Sequence, residues 1–216
     1  MRRVGSVAIV ALFISACAPT MEERVHDFNT SGVHLYQQGE YDHAREIFQA
    51  ALMLQPNDPA LLFNMGQCLD HLGQTKQAEE VYQECLQHDP NQVECRHALT
   101  TLLVNGGRID EAQRMTQAWL AAEPKLSAAY AEDGWLYQKE GDPYKALKRY
   151  QQAIDLDPHN VNALIGMGQI YEELKNLPRA LLLYQTALEY NARQPDLVKR
   201  INRLRSQGVG RPHPDS

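Results

Sequence analysis

Five columns of residues recur along this chain every 34 positions, and they constrain its fold more than any other feature. Gly32, Gly66, Gly134 and Gly168 share one register, with Thr100 in the missing slot. Twelve residues beyond each stands an alanine: Ala44, Ala78, Ala112, Ala146 and Ala180. Four further on come Phe48, Tyr82, Thr116, Tyr150 and Tyr184, and three beyond those Ala51, Cys85, Trp119, Ala153 and Ala187. The last column, Pro56, Pro90, Pro124 and Pro158, ends in Ala192. A period of this length denotes one supersecondary unit stacked on copies of itself, because a single unit cannot bury its own apolar face.

Within a unit the pattern is helical. In the stretch from Gly39 to Pro59, Ala44, Ile47, Phe48, Ala51 and Leu52 return at three- and four-residue spacing, which is one face of a helix. The proline that follows cannot continue a helix and disfavours helical backbone in its predecessor, so each unit stops at a fixed place. Glycine inside a helix costs about 1 kcal/mol relative to alanine, so its recurrence signals close packing. The first-helix glycine is expected to meet the second-helix alanine, with the aromatic filling the gap away from that crossing. Unit three, with Thr100, Thr116 and Trp119 in three of the columns, is expected to pack irregularly, by bending or by opening a pocket, unless it is simply degenerate.

The columns resemble the tetratricopeptide repeat over residues 25–194. That resemblance implies an all-α fold, a right-handed α-solenoid of five helix-turn-helix units (25–58, 59–92, 93–126, 127–160 and 161–194). Residues 195–207 read as a capping helix, with Leu197, Ile201 and Leu204 on one face and Lys199, Arg200, Arg203 and Arg205 around it. Residues 208–216 are rich in glycine and proline and read as a disordered tail.

The start of the chain carries a different signal. Arg2 and Arg3 precede an apolar run from Val4 to Ile14, which closes in Ser15, Ala16 and Cys17. This is the layout of a secretory signal peptide over residues 1–16, too short for a spanning helix. Ile14-Ser15-Ala16-Cys17 is similar to the bacterial lipobox, which implies lipidation of Cys17, a short tether over 17–24 and anchoring in the cell envelope, facing the periplasm. Ala18 stands where inner-membrane lipoproteins usually carry aspartate, so the outer membrane is expected. An ordinary signal peptide cleaved nearby and an uncleaved anchor are the alternatives.

In tetratricopeptide proteins the first helix of each unit lines a concave face that takes peptides or partner helices. Carried onto this chain, that implies Asn29 and Val33, then Phe63, Asn64 and Gln67, then His97 and Thr101, then Trp135, and finally Ile165 and Gln169. Ala128, Ala131, Glu132 and Asn162 fall on the same face, and Phe63 and Trp135 are the candidate contact aromatics, since buried aromatics dominate interface energetics; packing against the neighbouring helix is the alternative for each. The family's clamp for C-terminal carboxylates would need cations where Asn29, Glu94 and Ala98 stand; only Asn64 matches, so that mode is rejected.

Charge and motifs narrow the function. Loss of Arg2 and Arg3 with the leader leaves 19 basic against 27 acidic residues, a balance that gives no electrostatic case for nucleic acid. There is no zinc-protease or Cys-x-x-Cys spacing, no phosphate-cradling glycine loop and no Gly-x-Ser-x-Gly elbow. No cofactor or metal is expected, and His97 one turn from Glu94 is the nearest approach to an acid–base pair. Cys85 and Cys95 are expected as free thiols, with a disulfide between them as the alternative. The expectation is a non-catalytic adaptor for a protein or peptide partner, similar in layout to lipoproteins that assist pilus and secretion-channel assembly. A scaffold recruiting peptidoglycan enzymes or proteases is the alternative, an enzyme the other class, and self-association stays open.

Overall fold

The computed structural model describes residues 19–210, and all regular secondary structure among them is helical. Residues 1–18 and 211–216 lie outside the described residues, so the expected signal peptide, the lipidation of Cys17 and most of the expected tail fall beyond them. The chain groups into two compact units, one up to Gln92 and one from Val93 on.

The first unit holds α1 (Met21–Gln37), α2 (Tyr41–Leu54), α3 (Pro59–His71) and α4 (Thr75–His88). Helix α1 begins inside the stretch read as a tether, because Thr20 and Glu23 form a reciprocal capping box that satisfies orphan donors at its first turn. Asp58 caps α3, its carboxylate accepting from the Leu61 N–H at 3.0 Å, with Pro59 in the first turn where no donor is missed. Ala44, Phe48 and Ala51 of α2 are buried with Val25, Leu61 and Cys68. Cys68 is a free thiol, which burial pushes up to about 11, whereas Cys85 is disulfide-bonded, a correction to the expected free thiol.

The second unit holds α5 (Val93–Asn105), α6 (Ile109–Ala122), α7 (Ser127–Lys139), α8 (Pro143–Leu156), α9 (Val161–Glu173), α10 (Leu177–Tyr190) and α11 (Pro195–Ser206). Cys95 of α5 is likewise disulfide-bonded, against expectation. Leu197, Ile201 and Leu204 of α11 are buried with Leu181, Tyr184 and Ala187 of α10. Arg200 and Arg203 both reach Glu172, which also accepts from the Tyr184 hydroxyl at 2.9 Å. These hydrogen bonds and cations hold Glu172 below the usual carboxylate range although burial acts the other way. Arg200 and Arg203 of α11 thus close the end of this unit by ion pairing, beside the packing of its apolar face. Beyond α11, Val209 packs on the same cluster and Gly210 lies against Leu181, so residues 208–210 belong to a turn and not to a loose tail.

The glycine column packs differently from expectation. A β-carbon at Gly32 would stand 2.6 Å from the Phe48 ring, at Gly66 2.4 Å from the Tyr82 ring, and at Gly168 2.5 Å from the Tyr184 ring. The glycine therefore makes room for the aromatic of the second helix, and the alanine column, fully buried throughout, fills in beside it. Unit three packs irregularly, as its departures from the columns lead one to expect: α5 and α6 lie close together over a far shorter stretch than the helices of the other pairs. Thr100 replaces the glycine and Thr116 the aromatic, and both are fully buried. The Thr100 hydroxyl donates to the Arg96 carbonyl at 2.7 Å and is satisfied within its own helix.

A sixth periodic column closes the first helices. Gly39, Gly73, Gly107 and Gly141 all adopt positive φ, the left-handed turn that frees the chain to reverse into the second helix. In the last repeat Lys175 holds that place at φ 63°.

Candidate functional site

The expected concave-face residues are split between the two units. In the first, the amide of Asn64 donates to the Asn29 carbonyl oxygen at 3.0 Å, tying α3 to α1. Val33 packs onto the α1–α2 core, Phe63 is half-buried with its ring 6.3 Å from that of Tyr82, and Gln67 is half-buried beside them in sequence. These residues are engaged mostly with one another and with the core.

The second unit is where a site forms. His97, Trp135, Ile165 and Gln169 line one groove of about 240 Å³, from α5, α7 and α9. Thr101, expected beside them, does not line it; Thr101 is half-buried and its hydroxyl oxygen has no hydrogen-bond partner. The groove exists because small residues stand where side chains would fill it: Ala128 and Ala131 on α7, and Gly166 on α9. Its floor is Tyr150, whose ring lies between Gly134 and Gly166; a β-carbon at Gly166 would stand 2.2 Å from Cζ. The Tyr150 hydroxyl donates to the Gln138 side chain at 3.0 Å, and burial pushes that phenol far above its ordinary value.

Polar bonds set the spacing of the groove walls. The Ser127 hydroxyl donates to the Ala153 carbonyl at 3.0 Å and accepts from the Asn160 amide at 2.6 Å, so α7, α8 and the start of α9 are pinned together. Asn160 also caps α9 by accepting from the Ala163 N–H at 2.8 Å. Deeper down, Asp133 meets Arg149 at 2.6 Å; burial raises the Asp133 carboxyl even so.

The chemistry of the groove centres on Glu132. One carboxylate oxygen, Oε2, lies 2.9 Å from His97 Nδ1; the other, Oε1, is buried with no hydrogen-bond partner. His97 thus pairs with Glu132 on the next pair's first helix and not with Glu94 on its own, a correction to the one-turn pairing expected. Burial disfavours the imidazolium, but the Glu132 hydrogen bond and charge outweigh it, so the His97 pKa is raised above the ordinary value. The His97 ring meets Trp135 edge to face at a centroid distance of 4.8 Å, and the Lys139 amine lies 5.3 Å from the same indole. The arrangement offers an aromatic wall, an aliphatic side chain, amide groups and one carboxylate. No cluster of three or more His, Cys, Asp or Glu able to hold a metal ion occurs among the described residues.

The sequence does not single out three members of this groove. Tyr150 reads there as a packing residue only, Gly166 falls in none of the columns, and Glu132 is one polar position among several. A signal for the floor is present: Gly166 stands two residues before Gly168, off the 34-residue register, where a second glycine has no role in that column.

These helix pairs, with glycine seated on an aromatic and a left-handed reversal at each hairpin, define a helical-repeat binding protein. The tetratricopeptide repeat profile matches residues 35–84, 72–132 and 137–201, and the chain belongs to that family. Among curated relatives, the photosystem I assembly protein Ycf3 of Prochlorococcus marinus is 32% identical over 85 residues, 38% of this chain and 49% of the relative. Ycf3 of a Synechococcus species is 32% identical over 83 residues, 37% of this chain and 48% of that protein. The chain spans about half the length of these curated relatives. Among solved structures, TTC0263, a thermophilic tetratricopeptide protein of Thermus thermophilus, superposes with a TM-score of 0.65 at 23% identity, covering 83% of this chain and 98% of that one. PilF of Pseudomonas aeruginosa superposes with a TM-score of 0.56 at 14% identity, covering 87% and 89%. At such identities the structural likenesses establish the fold alone.

Proposed function

We propose that this protein is a non-catalytic adaptor that binds an extended segment of a partner protein in the α5–α7–α9 groove. The observation that carries the reading is the groove itself: a recess kept open by Ala128, Ala131 and Gly166, walled by the half-buried Trp135 and Ile165. A monomeric core has no need to leave an aromatic and an aliphatic side chain half-exposed around a recess, and such residues serve contact with a partner. The relatives named for photosystem I assembly are consistent with a role in bringing proteins together, over the 38% of the chain that they match.

The finer reading is that the adaptor is lipid-anchored through Cys17 in a bacterial envelope, outer membrane preferred, where it assists assembly of a pilus or secretion channel. Its support is in the sequence: Arg2 and Arg3, the apolar run, and Ile14-Ser15-Ala16-Cys17. Two chains or more on one cysteine would hold the protein stably at a bilayer.

The adaptor reading is tested by crosslinked capture from cells with the intact protein, Trp135→Ala and Phe63→Ala, each checked by circular dichroism. Loss of a specific partner with Trp135→Ala and its retention with Phe63→Ala is the expected result. Radiolabelled palmitate incorporated into the intact protein and not into Cys17→Ser tests the anchor.

A further inference from the structure

From the groove just described, and resting on its reading as a peptide-binding surface, we propose that Glu132 forms a subsite for one arginine side chain of the bound partner segment. Three observations converge on it. Glu132 is 6% exposed, yet its Oε1 is buried without a hydrogen-bond partner while the residue lines the groove. A buried carboxylate oxygen left unsatisfied is costly, and a donor brought by a ligand removes that cost at the moment of binding. The groups already near Glu132 do not supply that donor. His97 occupies Oε2, and the Arg96 guanidinium, close enough to feel the Glu132 charge, lies over the Trp119 ring at 4.4 Å.

Second, the groove has the size of a side chain. About 240 Å³ is below the range of pockets that take drug-sized ligands but holds one long residue. Third, its walls suit a guanidinium over an ammonium. Trp135 presents an indole that already has the Lys139 amine 5.3 Å from its centroid, and Asn162 and Gln169 offer amide oxygens on the facing helix. A guanidinium is planar, weakly hydrated and carries several donors, so it can stack on an indole while donating to a carboxylate and an amide; an ammonium is a compact, strongly hydrated charge. Lys139 is exposed, so the incoming group can displace its amine from the ring without unpacking the fold.

The test uses pools of N-acetylated, C-amidated nonapeptides with the central residue fixed as arginine, lysine or glutamine and the flanks an equimolar mixture of Ala, Ser, Leu, Val and Thr. Binding to the whole protein is read from the NMR signals of the Trp135 indole and the Asn162 and Gln169 side-chain amides. The arginine pool is expected to bind at least ten-fold more tightly than the lysine and glutamine pools. Glu132→Gln, nearly isosteric, should erase that preference while keeping the helical circular-dichroism signal, and Trp135→Leu should weaken the arginine pool several-fold. Equal binding of the arginine and glutamine pools would overturn the subsite and leave the adaptor reading standing. A preference unchanged in Glu132→Gln, or shared equally by lysine, would overturn it as well. If no pool moves any groove signal and captured partners crosslink elsewhere on the protein, both the subsite and the groove reading fall.

Discussion

The phenol ring of Tyr150 occupies the space that a side chain at Gly166 would need, with Cζ and the hydroxyl oxygen 2.2 and 2.4 Å from where a β-carbon would sit. One aromatic of α8 thus spaces α7 from α9 and floors the groove between them. Gly166→Ala should therefore destabilise the protein by about 1–2 kcal/mol, the overpacking cost of about 1–3 kcal/mol being offset in part by the helix preference of alanine. Urea unfolding measures it. Combining the change with Tyr150→Leu should cost less than the sum of the two, since the clash is then gone.

Lys175 takes a left-handed conformation in the place where the other repeats have glycine. A non-glycine residue there costs about 1–2 kcal/mol, and glycine loses some of that advantage through its freer unfolded chain. Lys175→Gly is expected to raise stability by about 0.5–1 kcal/mol in the same urea assay, whereas Gly141→Lys should lower it.

The contrast between these glycines shows what is legible in the sequence. The Gly32, Gly66, Gly134 and Gly168 column and the aromatic column are both visible there, and they place the helix pairs correctly. Which column meets which is not, because equal spacing along the chain says nothing of how far a ring reaches across a crossing. Likewise the sequence matches His97 to Glu94, a turn away on one helix, while the fold brings Glu132 to 2.9 Å from it. Partners across neighbouring repeats are a matter of helix rotation, which a periodic pattern leaves undetermined. Trp135, Ile165 and Gln169 line the groove because first-helix positions of neighbouring repeats face the same way, whereas Thr101, also a first-helix position, lies outside its lining.

The His97–Glu132 contact has a definite pH signature. Because the folded His97 pKa is raised, the stability that the pair contributes is fully present below the unfolded imidazole pKa of about 6.5 and is lost as pH rises through the higher folded value. NMR titration should place His97 above 6.5, and Glu132→Gln should bring it down. A His97 value unmoved by Glu132→Gln would contradict the pairing.

Thiol reactivity separates the cysteines. A chain beginning at Ala18, denatured without reductant, should show one reactive thiol, Cys68, and three after reduction. In the native protein Cys68 should react slowly, since it is buried and its thiol is shifted up to about 11. Three thiols without reductant would contradict the oxidised state of Cys85 and Cys95.

The most direct test of the groove as the partner surface is site-specific photocrosslinking in cells, with a benzophenone side chain placed at position 165 in the groove or at position 148 on the exposed face of α8. Position 165 is expected to give a discrete covalent adduct with a partner protein and position 148 none. Adducts from position 148 alone, or no adduct at 165 in a protein that retains its helical signal, would contradict it.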